Sequence, residues 1–508
     1  MIAYLYIVAI SLGMLSVMSR LLPSQLASLI GAREFAAAIY LPTVATFSPH
    51  FLIFCLLVIA FMAAVPAKPE ERLRLLIFCL PLLPSLSYVL VVPVQLIAVN
   101  YNMMLYFGVI GLLFAVRPMR KFRFGIYDIG IVLLITSIVW GGAQGSSFTN
   151  FLRYTTQIIL GVGLPYLILS RGLAAASAPR NLVIALIFAA AILAAITVFE
   201  SQRSWLLYNE ISNGFGLPEE ISAYSKQRGG MLRASATFPE PTSLSLFLGL
   251  MTVMLVALRR QFESRPLFYL LLAVLILGQV FALARIGPVV TVVGLVAMFF
   301  YERRYGLLAL GAVAAPVLWV MVIFVATYVP VLAALLGLTE DSTGTVDYRE
   351  LLADRMMEEI ALDPWFGLTK EEVDIRLADM RQGEGIIDLV NTPLAVLLRS
   401  GVFGFVLYLV PSVVSLVALI RIRRVRKDAD LAAVCTAVFA TLVALHAGLV
   451  TTALSGRNGL WLILLLAFAA GLVARVRQAS RARVAAAAQQ HPALAARTPA
   501  LPEQAPAA

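Results

Sequence analysis

Charge is what this chain has least of. Only 13% of its 508 residues are Asp, Glu, Lys or Arg, while 61% are hydrophobic; a water-soluble domain carries about 25% charged residues. With a mean hydropathy of +0.91, that deficit excludes a soluble globular chain and indicates an all-α polytopic membrane protein. Cysteine is scarce as well. Cys55, Cys79 and Cys435 lie inside apolar runs, their number is odd and no metal-ligand spacing surrounds them. Neither a disulfide nor a metal site is expected, and the three read as small buried hydrophobes. There is no glycine-rich phosphate loop and no cytoplasmic segment large enough to bind a nucleotide, so no cofactor is expected. No small-residue cleavage site follows Arg20, so the first apolar segment reads as a retained span.

What is present is a succession of apolar segments. About fourteen (12–14) are long enough to approach the roughly 20 residues of a membrane helix, starting near residues 2, 49, 75, 102, 125, 156, 181, 240, 266, 286, 306, 397, 431 and 459. The stretch 266–300 holds Arg285 as its only charge. As one helix it would be about 52 Å long, against roughly 30 Å of hydrocarbon, so it divides in two at Arg285-Ile-Gly-Pro288. The segment 20–48 reads as interfacial, and 306–334 exceeds the need of one span.

Alternate loops then sort by charge. The set 68–74, 117–123, 171–180, 259–265, 301–304, 421–430 and 475–483 is strongly basic. The loop 335–396 is strongly acidic. Positive loops stay in the cytoplasm, which places both termini there and the loops 200–239 and 335–396 outside. The net charge of +11 thus has its origin in membrane orientation, and no nucleic-acid signal accompanies it. The expected organisation is spans over 1–334, a large extracytoplasmic helical loop over 335–396, further spans over 397–474, and a disordered cytoplasmic tail over 475–508, rich in Ala, Pro and Gln.

Within the large loop, Asp347-Tyr-Arg-Glu350 has the form of a capping box, followed at helical spacing by Leu351, Leu352, Met356 and Ile360. A second box at Thr369-Lys-Glu-Glu372 opens a helix carrying Val373, Ile375, Leu377 and Met380, which Gly383 and Gly385 should end. Between them, Trp365 and Phe366 read as interfacial anchors, with a sugar-stacking platform as the alternative.

The stretch Arg233-Ala-Ser-Ala-Thr-Phe-Pro-Glu240-Pro-Thr-Ser243 leads from a polar loop into an apolar span. Charges at a membrane boundary are costly and therefore functional candidates. The prolines around Glu240 fit a helix start. Arg233, Arg285, Arg349 and Arg457 come from four separate regions, yet topology sets all of them at outer ends of spans. Converging guanidinium groups suit an anionic ligand such as a phosphate. Each has a plainer reading: an Arg233–Glu240 pair, a helix-face partner for Arg349, a snorkelling Arg457. Arg285, alone in its apolar run, is hardest to explain without an acidic partner or ligand. His446, inside a span, reads as packing.

These residues resemble the O-antigen ligase and O-antigen or exopolysaccharide polymerase (Wzy-like) family of bacterial inner-membrane glycosyltransferases. The resemblance rests on Arg233–Ser243, on Leu283-Ala-Arg285, on Tyr348-Arg349 followed by Asp363-Pro-Trp-Phe-Gly367, and on Asp388-Leu-Val-Asn391 followed by Gly401-Val-Phe-Gly404. It covers roughly 180–470. Where many ligases carry histidine before the asparagine, this chain has Val390, which argues against a ligase and leaves the base unassigned. The resemblance implies transfer of a glycan from an undecaprenyl-diphosphate-linked oligosaccharide. Arg233, Arg285 and Arg349 would bind the diphosphate, Glu240 or Asp388 would act as base, and Asn391, Arg457 and Trp365 would support the acceptor. It also implies membrane lipid, a flippase, a chain-length regulator and export proteins as partners. The competing readings are a ligase delivering glycan to another acceptor, a lipid-linked-oligosaccharide flippase or transporter, and an accessory scaffold.

Overall fold

The structure is a computed structural model that describes residues 1–91, 95–116, 124–217, 227–336, 338, 343–381, 387–423, 428–454 and 457–490. The basic loop 117–123, Gly383, Gly385 and the tail beyond 490 lie outside them.

The chain is a helical bundle. Eight helices are long and apolar enough to cross a membrane: α1 (Ile2–Leu21), α6 (Ile126–Ala143), α7 (Phe148–Ala175), α8 (Pro179–Arg203), α12 (Tyr305–Ala326), α16 (Thr392–Ile422), α17 (Ala429–Leu449) and α18 (Arg457–Gln490). The larger number expected from hydropathy is not reached on these terms. The apolar helices α3 (Phe51–Ala64), α5 (Tyr101–Ala115), α9 (Pro241–Ala257), α10 (Arg265–Phe281) and α11 (Ile286–Tyr301) span only 10–17 residues. Further helices include α2 (Ala32–Phe47), α4 (Pro69–Leu82), α13 (Pro330–Leu336), α14 (Thr343–Leu362) and α15 (Lys370–Arg376). The split of 266–300 falls where expected, with Arg285 as the residue that precedes α11.

Two antiparallel ribbons interrupt the helices. One pairs β1 (Ser87–Val91) with β2 (Gln95–Asn100), and the other pairs β3 (Gln227–Arg228) with β4 (Met231–Leu232). Hydropathy alone does not reveal the first, because a short apolar run does not distinguish strand from helix by period. The last helix continues to Gln490, beyond residue 475, where a disordered tail was expected; alanine and arginine favour helix strongly enough to extend it.

At the centre stands α8, apolar around its circumference and buried from Leu182 to Ile196, as befits a helix with no polar face. By contrast α12 exposes Leu310, Val313, Val317 and Trp319, a surface suited to lipid. Small residues allow close crossings. A Cβ on Gly249 of α9 would lie 2.6 Å from the Gly287 carbonyl oxygen of α11, so the two backbones touch there.

Ion pairs hold arginines at both ends of the bundle, among them Arg355 with Glu358 and Asp379 and Arg376 with Glu359 and Glu372 in the large loop. At the opposite end the pairs include Arg74 with Glu34 at 3.2 Å, Arg171 with Asp128 at 2.7 Å, Arg180 with Asp430 at 2.8 Å and Arg259 with Glu302 at 3.0 Å. This is the end of the basic loops. The other end carries α14, α15 and the β3–β4 ribbon.

There, α14 begins at Thr343, four residues before Asp347, and not at the expected capping box. The second capping box forms as expected: Thr369 Oγ1 accepts from the Glu372 amide at 3.2 Å, and Glu372 Oε2 accepts from the Thr369 amide at 2.8 Å. Leu352, Met356, Ile360, Val373, Leu377 and Met380 close over Leu398 of α16 as a small separate core. Leu351 and Ile375, read as part of that face, are exposed.

Candidate functional site: an arginine cluster and two cavities

The segment 233–243 is held from beneath. Glu200, fully buried at the end of α8, accepts from the amides of Leu207 (2.9 Å) and Ala236 (2.8 Å). Ser201 Oγ donates to the Leu232 carbonyl at 2.9 Å. Thr237 Oγ1 donates to the Pro81 carbonyl at 2.7 Å and accepts from Arg457 Nη1 at 3.0 Å. Ala236 adopts φ 47°, a left-handed conformation that a non-glycine residue holds only when its surroundings impose it. The segment then enters α9 at Glu240, whose exposed carboxylate precedes the first turn and accepts from Thr242 Oγ1 at 2.9 Å. Arg233 is half-buried in the same segment.

Arg457 is not a ligand-facing residue. It is fully buried, its guanidinium lying between the rings of Tyr101 (4.6 Å) and Phe238 (4.4 Å) and bonded to the Pro81 carbonyl at 2.8 Å. It ties the start of α18 to α4 and the 233–238 loop.

The cations that do converge are Arg285, Arg349 and Arg228. Arg228 Nη1 donates to the Leu283 carbonyl at 2.8 Å, bracing the turn that carries Arg285. Leu283 sits at φ 49°, so this turn is strained and needs the brace. Ser245 of α9 holds it from the other side, donating to the Ala284 carbonyl at 2.9 Å. Arg285 Nε in turn donates to the Leu335 carbonyl of α13 at 3.1 Å. Burial, and after it the Arg285 and Arg349 charges, pull the Arg228 guanidinium below its ordinary range. Among the described residues none of the three pairs with a carboxylate. Like charges held together without a counter-charge favour an anion.

Beside the cluster runs the segment Ile387–Asn391, with a cavity on each side. Val390 and Asn391 line a small cavity of about 130 Å³ together with Arg349, Met356 and Thr451. Asp388, Leu389 and Thr392 line a large one of about 540 Å³, formed chiefly by α6, α7, α16 and α18. Asn391 Oδ1 also caps α16 by accepting from the Leu394 amide at 3.1 Å. Thr392 Oγ1 donates to the Thr452 carbonyl at 2.6 Å and anchors the segment to the α17–α18 connection. Asp388 is exposed at its edge of the large cavity.

The Pro364–Leu368 turn docks on a break in α16. Gly401 has φ 61° and ψ −171°, a conformation open essentially to glycine alone. Across the contact, Val402 N donates to the Pro364 carbonyl at 2.8 Å and Leu368 N to the Leu398 carbonyl at 2.8 Å. Trp140 Nε1 and Gln144 Nε2 of α6 donate to the Phe366 carbonyl at 3.1 and 2.8 Å. Trp365 remains exposed on this turn. The break turns Arg399 toward the large cavity.

Of the residues singled out in the sequence, Arg285 and Arg349 are thus brought together, and Asn391 joins Arg349 on the small cavity. Asp388 lies on the other cavity, while Glu240, Trp365 and Arg457 stand apart from the arginine cluster. Arg228 and Arg399 were missed. Arg399 carried the same signal as Arg285, a lone arginine in an apolar run. Arg228 carried none, because only the ribbon brings it to Leu283. His446 packs, with Nε2 at 2.8 Å from Ser412 Oγ.

Fold and site together define a multi-pass helical membrane protein in which Arg228, Arg285 and Arg349 gather at one end with no carboxylate paired to them among the described residues. Residues 280–409, about a quarter of the chain, match the family model described as O-antigen ligase, and over this stretch the chain is similar to that family. The matched stretch contains Arg285, Arg349, Trp365, Asp388, Asn391 and Arg399. No curated protein matches the chain.

Proposed function

We propose that the protein is a polysaccharide polymerase. It joins undecaprenyl-diphosphate-linked oligosaccharide repeat units into an exopolysaccharide, capsule or O-antigen chain at the extracytoplasmic face of the bacterial inner membrane. The observation that carries this reading is the gathering of Arg228, Arg285 and Arg349, none of which pairs with a carboxylate among the described residues, at an end where Arg355 and Arg376 do pair with Glu358, Asp379, Glu359 and Glu372. The family match supplies glycosyl transfer as the chemistry. In this reading about fourteen segments cross the bilayer, the shorter apolar helices included, since thinning and tilt accommodate modest mismatch. The carboxy-terminal end of α18 is cytoplasmic, whereas the amino terminus, 3.4 Å from Glu210, lies on the outer side with the 200–239 loop, which corrects the expectation of two cytoplasmic termini; 335–396 is the outer loop between spans over 1–334 and 397–474.

The cluster, with Arg233 alongside, takes the carrier diphosphate. Guanidinium forks bind its oxygens and stabilise the charge that grows as the anomeric carbon–oxygen bond breaks, a type of contribution commonly worth about 3–4 kcal/mol per donor lost. The acceptor hydroxyl oxygen forms the new bond to that carbon. Its proton goes to a carboxylate, Asp388 first and Glu240 second, and the carrier diphosphate leaves with the bonding electrons. No nucleotide or metal is needed for this balance. Asn391 holds the start of α16, Arg457 fixes the 233–238 loop, and Trp365 offers a face on which sugar can stack. Val390, standing where a ligase has histidine, favours the polymerase over a ligase.

The test is reconstitution with lipid-diphosphate-linked repeat units and no other protein. Chains of several repeats are expected. Transbilayer movement of the substrate without lengthening would instead identify a flippase.

A further inference from the structure

The small cavity between α14 and the entry to α16 has two kinds of wall. Arg349, Leu352, Ala353 and Met356 stand three and four residues apart, so they share one face of α14 and form one side of it. Val390, Asn391 and Thr451 close it from the other side. Leu352 and Met356 are buried, Asn391 is half-buried, and Arg349 and Thr451 are exposed. The cavity is therefore apolar at its closed end and polar at its mouth. Packed interiors leave few voids larger than a water molecule, and this one, at about 130 Å³, has room for a larger group. Its mouth lies at the arginine cluster, because Arg349 lines it and its charge also acts on the Arg228 guanidinium.

The bonds already made at the mouth narrow the occupant. Asn391 Oδ1 accepts from the Leu394 amide at 3.1 Å, so what Asn391 offers a ligand is its Nδ2 donor. Thr451 Oγ1 donates to the Gly448 carbonyl at 3.1 Å, so what it offers is a lone pair. One donor, one acceptor, an apolar end and a cation alongside fit a planar amide that carries a methyl group and stands next to an anion. A hydroxyl leaves the apolar end unfilled. A second phosphate would meet Leu352 and Met356, which cannot replace its water. A sugar diphosphate with an acetamido group at C2 supplies every part. C2 is bonded to the anomeric carbon, so diphosphate oxygens held by Arg349 bring that group to the cavity mouth.

We propose that the small cavity is the subsite for an acetamido group at C2 of the donor's first sugar, with its methyl against Met356 and Val390, its carbonyl on Asn391 and its N–H on Thr451. The proposal rests on the glycosyl-transfer reading and names the class of donor that this site takes. It gives Val390 a role of its own, since valine keeps the closed end apolar where a histidine ring would not. It gives Ala353 one as well. A larger side chain on that face of α14 would enter the space between Arg349 and Met356.

The experiment is calorimetric titration of the full-length protein in nanodiscs with farnesyl-diphospho-N-acetylglucosamine and farnesyl-diphospho-glucose, which differ only at C2. The parent protein should bind the first about tenfold or more tightly than the second, the discrimination that a small apolar group in a fitted pocket supplies. Ala353→Leu, which fills the cavity from α14, should abolish that preference. Asn391→Asp keeps the oxygen that caps α16 and loses the Nδ2 donor; it should narrow the preference, and serves if the leucine variant does not fold. Equal binding of the two ligands by the parent, or a preference that neither variant alters, overturns the proposal. So does the same preference between the methyl glycosides of N-acetylglucosamine and glucose, which carry no diphosphate; that result would move the acetamido group onto the acceptor. Equal binding, with chain lengthening from lipid donors of both kinds, would remove this subsite and leave the polymerase reading standing. A preference for the acetamido ligand with no transfer from either lipid donor would do the opposite.

Discussion

Gly367 and Gly401 meet backbone to backbone. A Cβ on Gly367 would lie 2.5 Å from the carbonyl carbon of Arg399, and one on Gly401 would lie 2.2 Å from the carbonyl oxygen of Trp365. Both residues have positive φ, 76° and 61°. One contact thereby docks the loop carrying α14 and α15 and breaks α16 beside Arg399. The glycines spaced as Pro-x-x-Gly and Gly-x-x-Gly are two halves of one joint.

Gly401→Ala should therefore be costly twice over. The conformation alone costs about 1–3 kcal/mol for a residue with a side chain, and the backbone clash adds to it. We expect a lowered Tm in detergent and faster tryptic cleavage at Arg355 and Arg376. Gly367→Ala should behave alike. Gly311→Ala, where a new Cβ meets nothing within 4 Å, should be silent. A Gly401→Ala protein with the parent Tm and protease pattern would mean that the joint is not what holds the loop.

How much of this was legible beforehand follows from the range of each signal. The division of 266–300 at Arg285 and the capping box at Thr369 are local, and both stand. The core faces of α14 and α15 were mostly right because period 3.6 is local too. Leu351 and Ile375 failed because an amphipathic pattern does not say where the buried arc ends. Arg349 and Arg285 were chosen for being unlikely on their membrane side. Arg228 could not be, since its meaning lies in a bond to Leu283, 55 residues away. Glu200 was missed for a similar reason. Its partners are backbone amides, which leave no mark in a sequence.

Arg457 and Arg285 should separate cleanly on mutation. Arg457 is buried between two rings, an arrangement worth about 2 kcal/mol or more per face when desolvated, and lysine does not reproduce a stacked guanidinium. Arg457→Lys should lower Tm and activity together, by roughly 2–4 kcal/mol of stability on that basis. Arg285→Gln should keep Tm within a degree or two and lose polymer. An Arg457→Lys protein with the parent Tm and no activity would move Arg457 into the substrate site.

The orientation can be read with single cysteines. The native Cys55, Cys79 and Cys435 are all buried and should stay silent to an impermeant maleimide. Ile375→Cys, at a position 74% exposed on α15, should label in intact spheroplasts. Gln478→Cys, exposed near the end of the basic loops, should label only after the membrane is opened. The reverse pattern would turn the protein over and place the arginine cluster in the cytoplasm.

Geometry ranks the two candidate bases. Asp388 lies on the large cavity and belongs to the extended segment that separates it from Arg349. Glu240 is exposed before α9 and is already engaged by Thr242. General-base catalysis typically contributes 10²–10⁴-fold. Asp388→Asn should therefore lower kcat by about 10²-fold or more, with the affinities for lipid diphosphate and acceptor little changed. Glu240→Gln should cost about tenfold or less, since Glu240 stands apart from the arginine cluster and its loss leaves the proton acceptor in place. Single-turnover measurement on both variants decides between them. If Glu240→Gln abolishes the chemical step while Asp388→Asn retains it, the proton leaves toward α9, and the acceptor hydroxyl must approach from the side of Arg285.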